Sequence, residues 1–345
     1  RPNYFPFSCG TAINTDTNEI VKIEPDDYIS RTSPHIYKSL TDLEYELLHK
    51  EMNPLLEQIE PDEEELKSKL SLLREGATGY KSETLNFFGG SGGNGKGTLM
   101  DFFKYTLGDK FYKDAGHSVI TEASKELDSN VATLDKLRCY VCSEPPDNKP
   151  ICCSKTKQLT GENEMSGRDL HQKAKDAKVN ISTTSFICQH NLMVKFDEEP
   201  TNALYRRFRF TQFNSEFTDI ESNVDEANRI YPADSKWKLK STHEKFLMYF
   251  IHRLFFHTPK KPFYTDETIQ HSYSVLDGSD QFWTWIEDNI EFVPMIDDEG
   301  KNIPKSKCGF ISFKDFSQRY RTDNSRMQLS VGQVKNKLKM CKRLK

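Results

Sequence analysis

Six glycines lie within the eleven residues FGGSGGNGKGT, at positions 88–98, and they restrict the fold more than any other stretch of the sequence. The apolar run TLNFF leads into this stretch, and the predicted helix TLMDFFKYTLG leaves it and ends in glycine. Glycines between a strand and a helix let successive backbone N–H groups point at one anion, and the helix N-terminus adds partial positive charge. We therefore predict a strand, a phosphate-binding loop and a helix, in that order.

The loop departs at one position from the usual P-loop pattern, G-x-x-x-x-G-K-[ST]. Gly90, Gly95 and Lys96 fit the pattern, and Lys96 is expected to reach the β- and γ-phosphates of ATP as a point charge. Gly97 stands where a hydroxyl normally binds Mg²⁺, so Thr98 can be the metal ligand only if the loop turns differently. The predicted ATP-binding residues are Gly90, Ser91, Gly92, Gly93, Asn94, Gly95, Lys96, Gly97 and Thr98. A glycine-rich hairpin without a ligand is the alternative.

Two further apolar runs predict strands that end in polar residues. RCYVCSE places Ser143 and Glu144 after the second strand, and VNISTTSFICQHN ends the third strand at Asn191. Ligands of parallel α/β sheets sit at the carboxyl ends of the strands. Glu144 is suited to polarising an attacking water, Ser143 to holding a metal-bound water, and Asn191 to orienting the γ-phosphate. Capping and turn roles are the alternatives. The alternation of strands and helices predicts a parallel sheet.

Basic residues outside the loop are candidates for contacts with phosphate. ALYRRFRF contains Arg206 and Arg207, which could stabilise a transferring phosphoryl group or form surface ion pairs. The segment GRDLHQKAKDAKVN could contact a nucleic-acid backbone or be a solvated helix face; its candidates are His171, Lys173 and Lys175. Residues 301–345 carry 13 lysines and arginines against two aspartates, which suits either a polyanion or a solvated end.

The cysteines and the apolar residues restrict the class of protein. Eight cysteines without a secretion signal predict reduced thiols in a cytosol-like compartment. Cys139 and Cys142 have zinc-site spacing, but they lie inside an apolar strand, so we predict buried thiols instead. No run of 18 apolar residues is present, and we expect no membrane span.

Changes in composition along the chain predict four regions. They are extended pieces and a helical lead-in over 1–77, a mixed α/β block with the glycine-rich loop over 78–217, a helical extension over 218–269 and a basic region over 270–345. Within the first region, Pro54 predicts a break in the helical segment that starts near residue 41.

Taken in order, these motifs resemble the superfamily 3 helicases of viruses and phages. The most similar branch is the primase-helicase (NTPase) family of poxviruses, other large DNA viruses and satellite phages. The resemblance covers residues 5–217 well and 218–345 in outline. It rests on FPFSCGTAINTDTNEIVKIEPDDYI, GGSGGNGKGTLM, RCYVCSEPPD, QLTGENEMSGRDLHQK and CQHNLMVKFDEEPTNALYRRF. Many phage members share the NGKG form, so the glycine after the lysine is a known variant.

The resemblance implies an α/β fold, with a P-loop AAA+-like core, a helical N-terminal collar and a winged-helix-like C-terminal region. It implies ATP and Mg²⁺ as cofactors, with Glu144 activating water and Asn191 sensing the γ-phosphate. Arg206 or Arg207 would reach the ATP of a neighbouring subunit. His171, Lys173 and Lys175 fall where family members place a DNA loop of the central channel.

The resemblance also implies a ring, typically a homohexamer, and an upstream primase domain outside this chain. It further implies an entry segment and helical collar over 1–77, a P-loop ATPase core over 78–217 and a DNA-binding-like region over 270–345. We therefore expect an ATP-driven DNA helicase of viral replication in an infected host cell, in the cytoplasm or a virus factory. Its substrates would be single-stranded DNA in the ring channel and forked duplex DNA. The alternatives are a P-loop phosphotransferase acting on a small molecule and a non-catalytic DNA-binding module.

Overall fold

The computed structural model describes residues 3–123, 129–142, 144–146, 149–167, 178–191, 194–279, 285–286, 289–290, 315–316 and 318–320. The chain divides into two compact units, Arg1–Ser279 and Asp280–Lys345. In the second unit the described side chains of Trp285, Ile286, Phe316 and Tyr320 form an apolar cluster. The winged-helix-like arrangement and most of the basic stretch 301–345 fall outside the described residues and stay predictions.

The first unit is built around strands that alternate with helices. The strands are β1 (Tyr4–Pro6), β2 (Thr11–Asn14), β3 (Glu19–Lys22), β4 (Leu85–Gly89), β5 (Tyr112–Ala115), β6 (Cys139–Cys142), β7 (Glu164–Ser166), β8 (Lys178–Asn180), β9 (Ser185–His190), β10 (Phe208–Gln212), β11 (Glu216–Thr218) and β12 (Ile230–Pro232). The helices are α1 (Asp42–Ile59), α2 (Glu63–Thr78), α3 (Lys96–Leu107), α4 (Ser118–Thr121), α5 (Ser129–Ala132), α6 (Cys153–Gly161), α7 (Asn202–Arg207), α8 (Lys240–Phe256) and α9 (Asp266–Ser279). No helix within the described ranges is long and apolar enough to cross a membrane.

Five strands form a central parallel sheet in the spatial order β10-β4-β9-β6-β5. The predicted parallel sheet is thus confirmed. Gly89 pairs with His190, and Cys142 pairs with Cys188, so β4, β9 and β6 end at one edge of the sheet. Residues that follow these three strands are therefore brought close together.

The sequence predicted three of the five sheet strands and missed two. β10 was hidden in ALYRRFRF, where the structure splits the segment into α7 and the edge strand. β5 is short and half polar, so its pattern is weak. The run predicted as one third strand is divided into β8 and β9 by a turn in which the Thr184 N–H donates to the Ile181 carbonyl.

Smaller sheets flank the central one. β1, β2 and β3 form an antiparallel sheet, which confirms the short extended pieces predicted at the start of the chain. β7 and β8 pair as an antiparallel ladder, and β11 pairs with β12 in parallel.

Helix α1 runs through Pro54, so the predicted break is wrong. A proline inside a helix removes one N–H donor and leaves the carbonyl four residues earlier, at Lys50, without its intrahelical bond. Both Lys50 and Pro54 are exposed, so water can solvate that carbonyl. The opposite face buries Met52, Leu55, Leu56 and Ile59, and this packing keeps the helix continuous.

Helix α2 lies inside the first unit and packs against α3 and β6, and the predicted collar role of residues 1–77 stays a prediction. Almost every residue from Glu65 to Thr78 is buried. A Cβ built at Gly76 would lie 3.2 Å from the Phe103 ring and 3.3 Å from the Cys139 sulfur, so the helix approaches α3 and β6 closely. Its first turn, with Glu63 and Glu64, is exposed, and α1 also has an outer face, where Leu43 and Leu47 are exposed.

Arg74 of α2 connects two distant parts of the first unit. Its guanidinium donates to the carbonyls of Leu254 and Phe255 at the end of α8. It also donates to the Thr15 carbonyl and the Asn18 side chain between β2 and β3. Burial lowers the pKa of Arg74 to about 10. A cation is favourable at a helix C-terminus, and these charge-assisted bonds replace the water lost on burial.

Helix α9 crosses the boundary predicted at 269–270. The Ser272 hydroxyl accepts a hydrogen bond from the Phe210 N–H of β10 at 2.8 Å, and Asp277 accepts one from the Tyr205 hydroxyl at 2.6 Å. Leu276 is buried in the same core as the sheet. The helix therefore covers the edge strand of the first unit.

We predict that the ion pair of α2 is essential for stability. The Lys69 ammonium lies 2.7 Å from the Glu60 carboxylate, and these side chains are only 1% and 3% exposed. Lys69→Met leaves that buried carboxylate with only the longer 3.8 Å contact to Arg229, so the free energy of unfolding should fall by about 3–5 kcal/mol. Urea denaturation measures the change.

The matched control for this prediction is Lys67→Met on the same helix, where a half-buried lysine pairs with the exposed Glu63 and Glu64. Exposed pairs contribute little, so the control should keep the wild-type midpoint. Equal midpoints for both variants would contradict the structural role of Lys69.

Candidate active site

The glycine-rich loop joins β4 to α3 at the carboxyl edge of the central sheet. The chain that follows β10 holds the loop in place. The Phe213 N–H donates to the Gly89 carbonyl at 2.8 Å, and the Phe217 N–H donates to the Gly93 carbonyl at 2.7 Å. The buried Asn94 side chain accepts a hydrogen bond from the Lys96 N–H at 3.3 Å. Hydrogen bonds from the Phe213 and Phe217 backbone and from the Asn94 side chain thus fix the conformation of the loop.

Two of the loop glycines have no room for a side chain. A Cβ built at Gly90 would lie 1.9 Å from the Asn94 amide nitrogen and 2.7 Å from the Phe213 carbonyl oxygen. Gly95 has φ +76°, and its Cβ would lie 2.5 Å from Ile59. Only glycine combines a left-handed backbone with such close approach. Packing within the protein therefore requires glycine at these two positions of the pattern.

Lys96 is the first residue of α3, and its side chain crosses to the neighbouring strand. The ammonium donates to the His190 carbonyl at 2.8 Å and to the Asn191 side-chain oxygen at 2.9 Å. Burial lowers the pKa of Lys96, and the nearby charge of Glu144 opposes this shift. The lysine therefore lies at the end of β9, within reach of whatever occupies the loop.

Asn191 links Lys96 to Glu144. Its backbone N–H and its side-chain amide each donate to one oxygen of the Glu144 carboxylate, at 2.8 Å and 3.1 Å. The side-chain oxygen of the same amide accepts from Lys96. The three residues predicted after three separate strands thus form one connected set of hydrogen bonds. The carboxylate is half-buried and held from two directions.

Of the two predicted metal-binding residues, the structure describes Thr98 but not Ser143. Thr98 is half-buried in the first turn of α3, and Gly97 is exposed. A Cβ built at Gly97 would meet no atom of the described residues within 4 Å, so a side chain would fit there. Ser143 lies outside the described residues, as do His171, Lys173 and Lys175. The proposed roles of these four residues stay predictions.

Arg206 and Arg207 lie near the amino-terminal ends of the sheet strands, whereas the loop lies at their carboxyl ends. They end α7 just before β10, whose first residue, Phe208, pairs with Leu85 at the start of β4. The last residue of β10, Gln212, pairs with Gly89 at the end of β4. The start and the end of these strands are therefore four residues, or roughly 13 Å, apart. The arginines are therefore far from Lys96 of their own chain.

The two arginines differ in their contacts. Arg207 donates to the Ala203 carbonyl and forms a 3.2 Å ion pair with Glu83. Arg206 is exposed at the end of the helix. Of the two, Arg206 has the side chain that solvent or another molecule can reach.

The sequence missed the segment that clamps the loop. Phe213 and Phe217 hold the backbone of Gly89 and Gly93, yet they follow an edge strand that was not predicted. The prediction of buried thiols in this strand is confirmed, because Cys139 and Cys142 are free cysteines and are buried in β6.

We predict opposite responses to alanine at two loop glycines. Gly90→Ala should destabilise the first unit by about 1–3 kcal/mol, since the added methyl group overlaps Asn94 and Phe213. Gly97→Ala is the matched control, and it should leave the denaturation midpoint unchanged or slightly higher because helix residues favour alanine over glycine. Chemical denaturation decides; a Gly90→Ala protein as stable as the wild type would contradict the observed loop geometry.

No protein-family model matches the chain. In sequence, the chain is 29% identical over 197 residues to the protein of Acanthamoeba polyphaga mimivirus described as "Putative helicase L207/L206". That match covers 56% of this chain and 20% of the mimivirus protein, so the chain spans about a fifth of its relative's length.

Two solved structures of the NrS-1 C-terminal region are similar to the chain. The A form of the apo C-terminal region has a TM-score of 0.50 and 12% identity, over 84% of this chain and 64% of that one. An apo structure of its residues 305–718 has a TM-score of 0.44 and 12% identity, over 81% and 59%. At such low identity the first similarity concerns the fold alone. The chain thus combines weak sequence similarity to a viral protein described as a putative helicase with a fold similar to that of the NrS-1 C-terminal region.

Proposed function

We propose that the chain is the ATP-hydrolysing part of a ring-forming viral DNA helicase of superfamily 3. The observation that carries the proposal is the hydrogen-bonded set Lys96–Asn191–Glu144 beside the glycine-rich loop. A cation, an amide and a carboxylate at the ends of three parallel strands are the groups that nucleotide hydrolysis needs. Similarity to the mimivirus protein supports the helicase assignment.

In this proposal each residue has one chemical task. Lys96 binds the β- and γ-phosphates, exchanging its bond to Asn191 for bonds to phosphate oxygens. Glu144 accepts a proton from the attacking water, and the two donors on Asn191 keep its carboxylate oriented. Asn191 contacts both groups, so it can sense whether a γ-phosphate is present.

The residues present fit ATP and Mg²⁺. The loop from Gly90 to Gly95 has no room for side chains at its tightest points, and it leads into the N-terminus of α3. Lys96, the Thr98 hydroxyl and Glu144 supply cation, hydroxyl and carboxylate near that end of the helix. Mg²⁺, when bound, would neutralise charge on the transferring phosphoryl group. Thr98 and Ser143 are the residues that would hold it, directly or through water.

A second subunit completes the proposed site. Arg206 is exposed at the edge of the sheet far from its own loop, so it can act only on the nucleotide of a neighbouring molecule. An arginine supplied in trans stabilises charge on the phosphoryl group and requires each subunit to present both edges. A closed ring provides this head-to-tail arrangement. The exposed Leu43 and Leu47 of α1 suit a contact between copies.

We predict that Glu144→Gln separates nucleotide binding from hydrolysis. The substitution keeps the size of the side chain and removes the proton acceptor, so phosphate release should fall about 10²- to 10⁴-fold. Binding of a fluorescent ATP analogue should persist. Lys96→Ala should lose both activities, and Glu226→Gln, an exposed carboxylate elsewhere, should lose neither. Wild-type hydrolysis by Glu144→Gln would contradict its assigned role.

We predict that Arg206→Ala abolishes hydrolysis and leaves ATP binding and assembly intact. When mixed with Lys96→Ala, it should regain part of the activity, because mixed rings contain interfaces in which an intact loop faces an intact arginine. The comparison variant is Arg207→Ala, which breaks a bond to Glu83 within its own chain and should not be rescued. Phosphate release across mixing ratios measures the effect. Absence of rescue at every ratio would contradict the ring mechanism.

Nucleic acid distinguishes this proposal from a small-molecule phosphotransferase. A helicase hydrolyses ATP faster when single-stranded DNA is present and unwinds forked duplex DNA. A phosphotransferase responds to neither. A non-catalytic DNA-binding module would bind DNA without hydrolysing ATP.

A further inference from the structure

A cleft with a volume of about 320 Å³ opens at the amino-terminal edge of the sheet, on the far side from Lys96. One wall consists of residues that immediately precede sheet strands, including Phe111 before β5 and Arg138 before β6. The other wall is the segment from Tyr28 to Arg31, which follows the N-terminal sheet. This volume is close to that of the smallest pockets that bind small ligands.

Three cations line this cleft: Arg31, Lys136 and Arg138. The Arg31 guanidinium donates to the carbonyls of Asp135 and Lys136, at 2.9 Å and 3.1 Å. Arg138 is buried, and it donates to the carbonyls of Ala77 and Tyr4. Carbonyl acceptors hold a guanidinium in place without cancelling its charge.

No acidic residue is among the described residues that line the cleft, and the two aspartates that directly precede Tyr28 and Lys136 in sequence accept hydrogen bonds from the backbone. Asp27 accepts a hydrogen bond from the Glu24 N–H at 2.8 Å. Asp135 accepts one from the Asn180 N–H at 3.1 Å. The cleft therefore presents an excess of positive charge to a ligand, and a phosphate group is the natural complement.

An exposed aromatic side chain, Tyr28, lines the same cleft. Tyr28 is 85% exposed, although its side chain is large and partly apolar. Tyr28 and Lys136 also have left-handed backbones, with φ of 51° and 54°. Such conformations are rare for residues other than glycine, and they cluster at ligand-binding sites. Two of the four such residues in the described chain line this one cleft.

We propose that this cleft binds one nucleotide unit of a single-stranded nucleic acid, with its phosphate at Arg31 and Lys136 and its base against Tyr28. Cations beside an exposed aromatic ring are the chemistry that single-stranded nucleic acids require. Asn180 lines the cleft and ends β8, so the surface continues onto the β7–β8 ladder. This continuity favours a polymer over a free nucleotide. The choice of nucleic acid rests on the proposed function.

The first test removes one charge. Lys136→Gln should weaken binding of a fluorescein-labelled oligothymidylate, measured by anisotropy in buffer without ATP or Mg²⁺. Because one lysine would no longer neutralise a phosphate, the slope of log K against log salt should become shallower by about 0.7. The control is Lys50→Gln, an exposed lysine on α1, which should keep the wild-type slope. Equal slopes for Lys136→Gln and wild type would overturn the proposal.

The second test separates stacking from folding. Tyr28→Phe and Tyr28→Leu keep the same backbone constraint, but only phenylalanine keeps the aromatic face. Tyr28→Phe should bind the oligonucleotide like the wild type, and Tyr28→Leu should bind about 5- to 150-fold more weakly. Equal affinities for the two variants would overturn the proposed stacking. Loss of affinity for labelled ATP in Lys136→Gln would identify a nucleotide site instead, and it would also overturn the proposal.

These outcomes are independent of hydrolysis. Lys96→Ala lacks the catalytic lysine at the other edge of the sheet, and it should bind the oligonucleotide as the wild type does. If the cleft variants bind normally while Glu144→Gln loses hydrolysis, only the cleft proposal fails. If Glu144→Gln hydrolyses normally while Lys136→Gln has the shallower salt slope, only the proposed function fails.

Discussion

The parallel register of β4, β9 and β6 is the constraint on which the candidate site depends. Gly89 lies beside His190, and Cys142 lies beside Cys188, so the three strands stop at one edge. Lys96, Asn191 and Glu144 come from sequence positions far apart, yet they meet because each follows one of these strands. A register shift of one residue would move Glu144 along its strand by about 3.3 Å and break its two bonds to Asn191. The arrangement of these three residues thus depends on the register of the sheet strands and not on any single sequence motif.

Helix α2 fills the space next to this sheet and holds surrounding parts in place. It is buried on nearly every side, although it carries lysine, arginine and glutamate. Buried charges persist only when they are paired and hydrogen-bonded. Lys69 meets this condition with Glu60, and Arg74 meets it with carbonyls from the end of α8 and the N-terminal sheet. The bonds of Arg74 thus connect α2, which precedes the glycine-rich loop, to the end of α8, which follows the loop by about 150 residues in sequence.

The sequence predicted the elements that carry strong local patterns. β4, the loop and α3 could be recognised because glycine spacing and apolar periodicity agree there. Glu144 and Asn191 could be placed at strand ends, which is enough to bring them together in a parallel sheet. The continuity of α1 through Pro54 could not be predicted, because it depends on which face packs. The clamp by Phe213 and Phe217 and the depth of α2 are likewise tertiary effects, with no signature in local sequence.

The bonds of Lys96 in the structure have a consequence for nucleotide binding. The ammonium is already hydrogen-bonded to the His190 carbonyl and to Asn191, so an incoming phosphate must compete with the protein's own oxygens. The exchange gains less free energy than a bare cation would provide, because one set of bonds replaces another. If a phosphate takes the place of Asn191 at Lys96, the Asn191 amide keeps its bonds to Glu144 and can move together with that side chain. Under the proposed function, a phosphate in the loop would therefore change the position of the Asn191 amide, which contacts both Lys96 and Glu144.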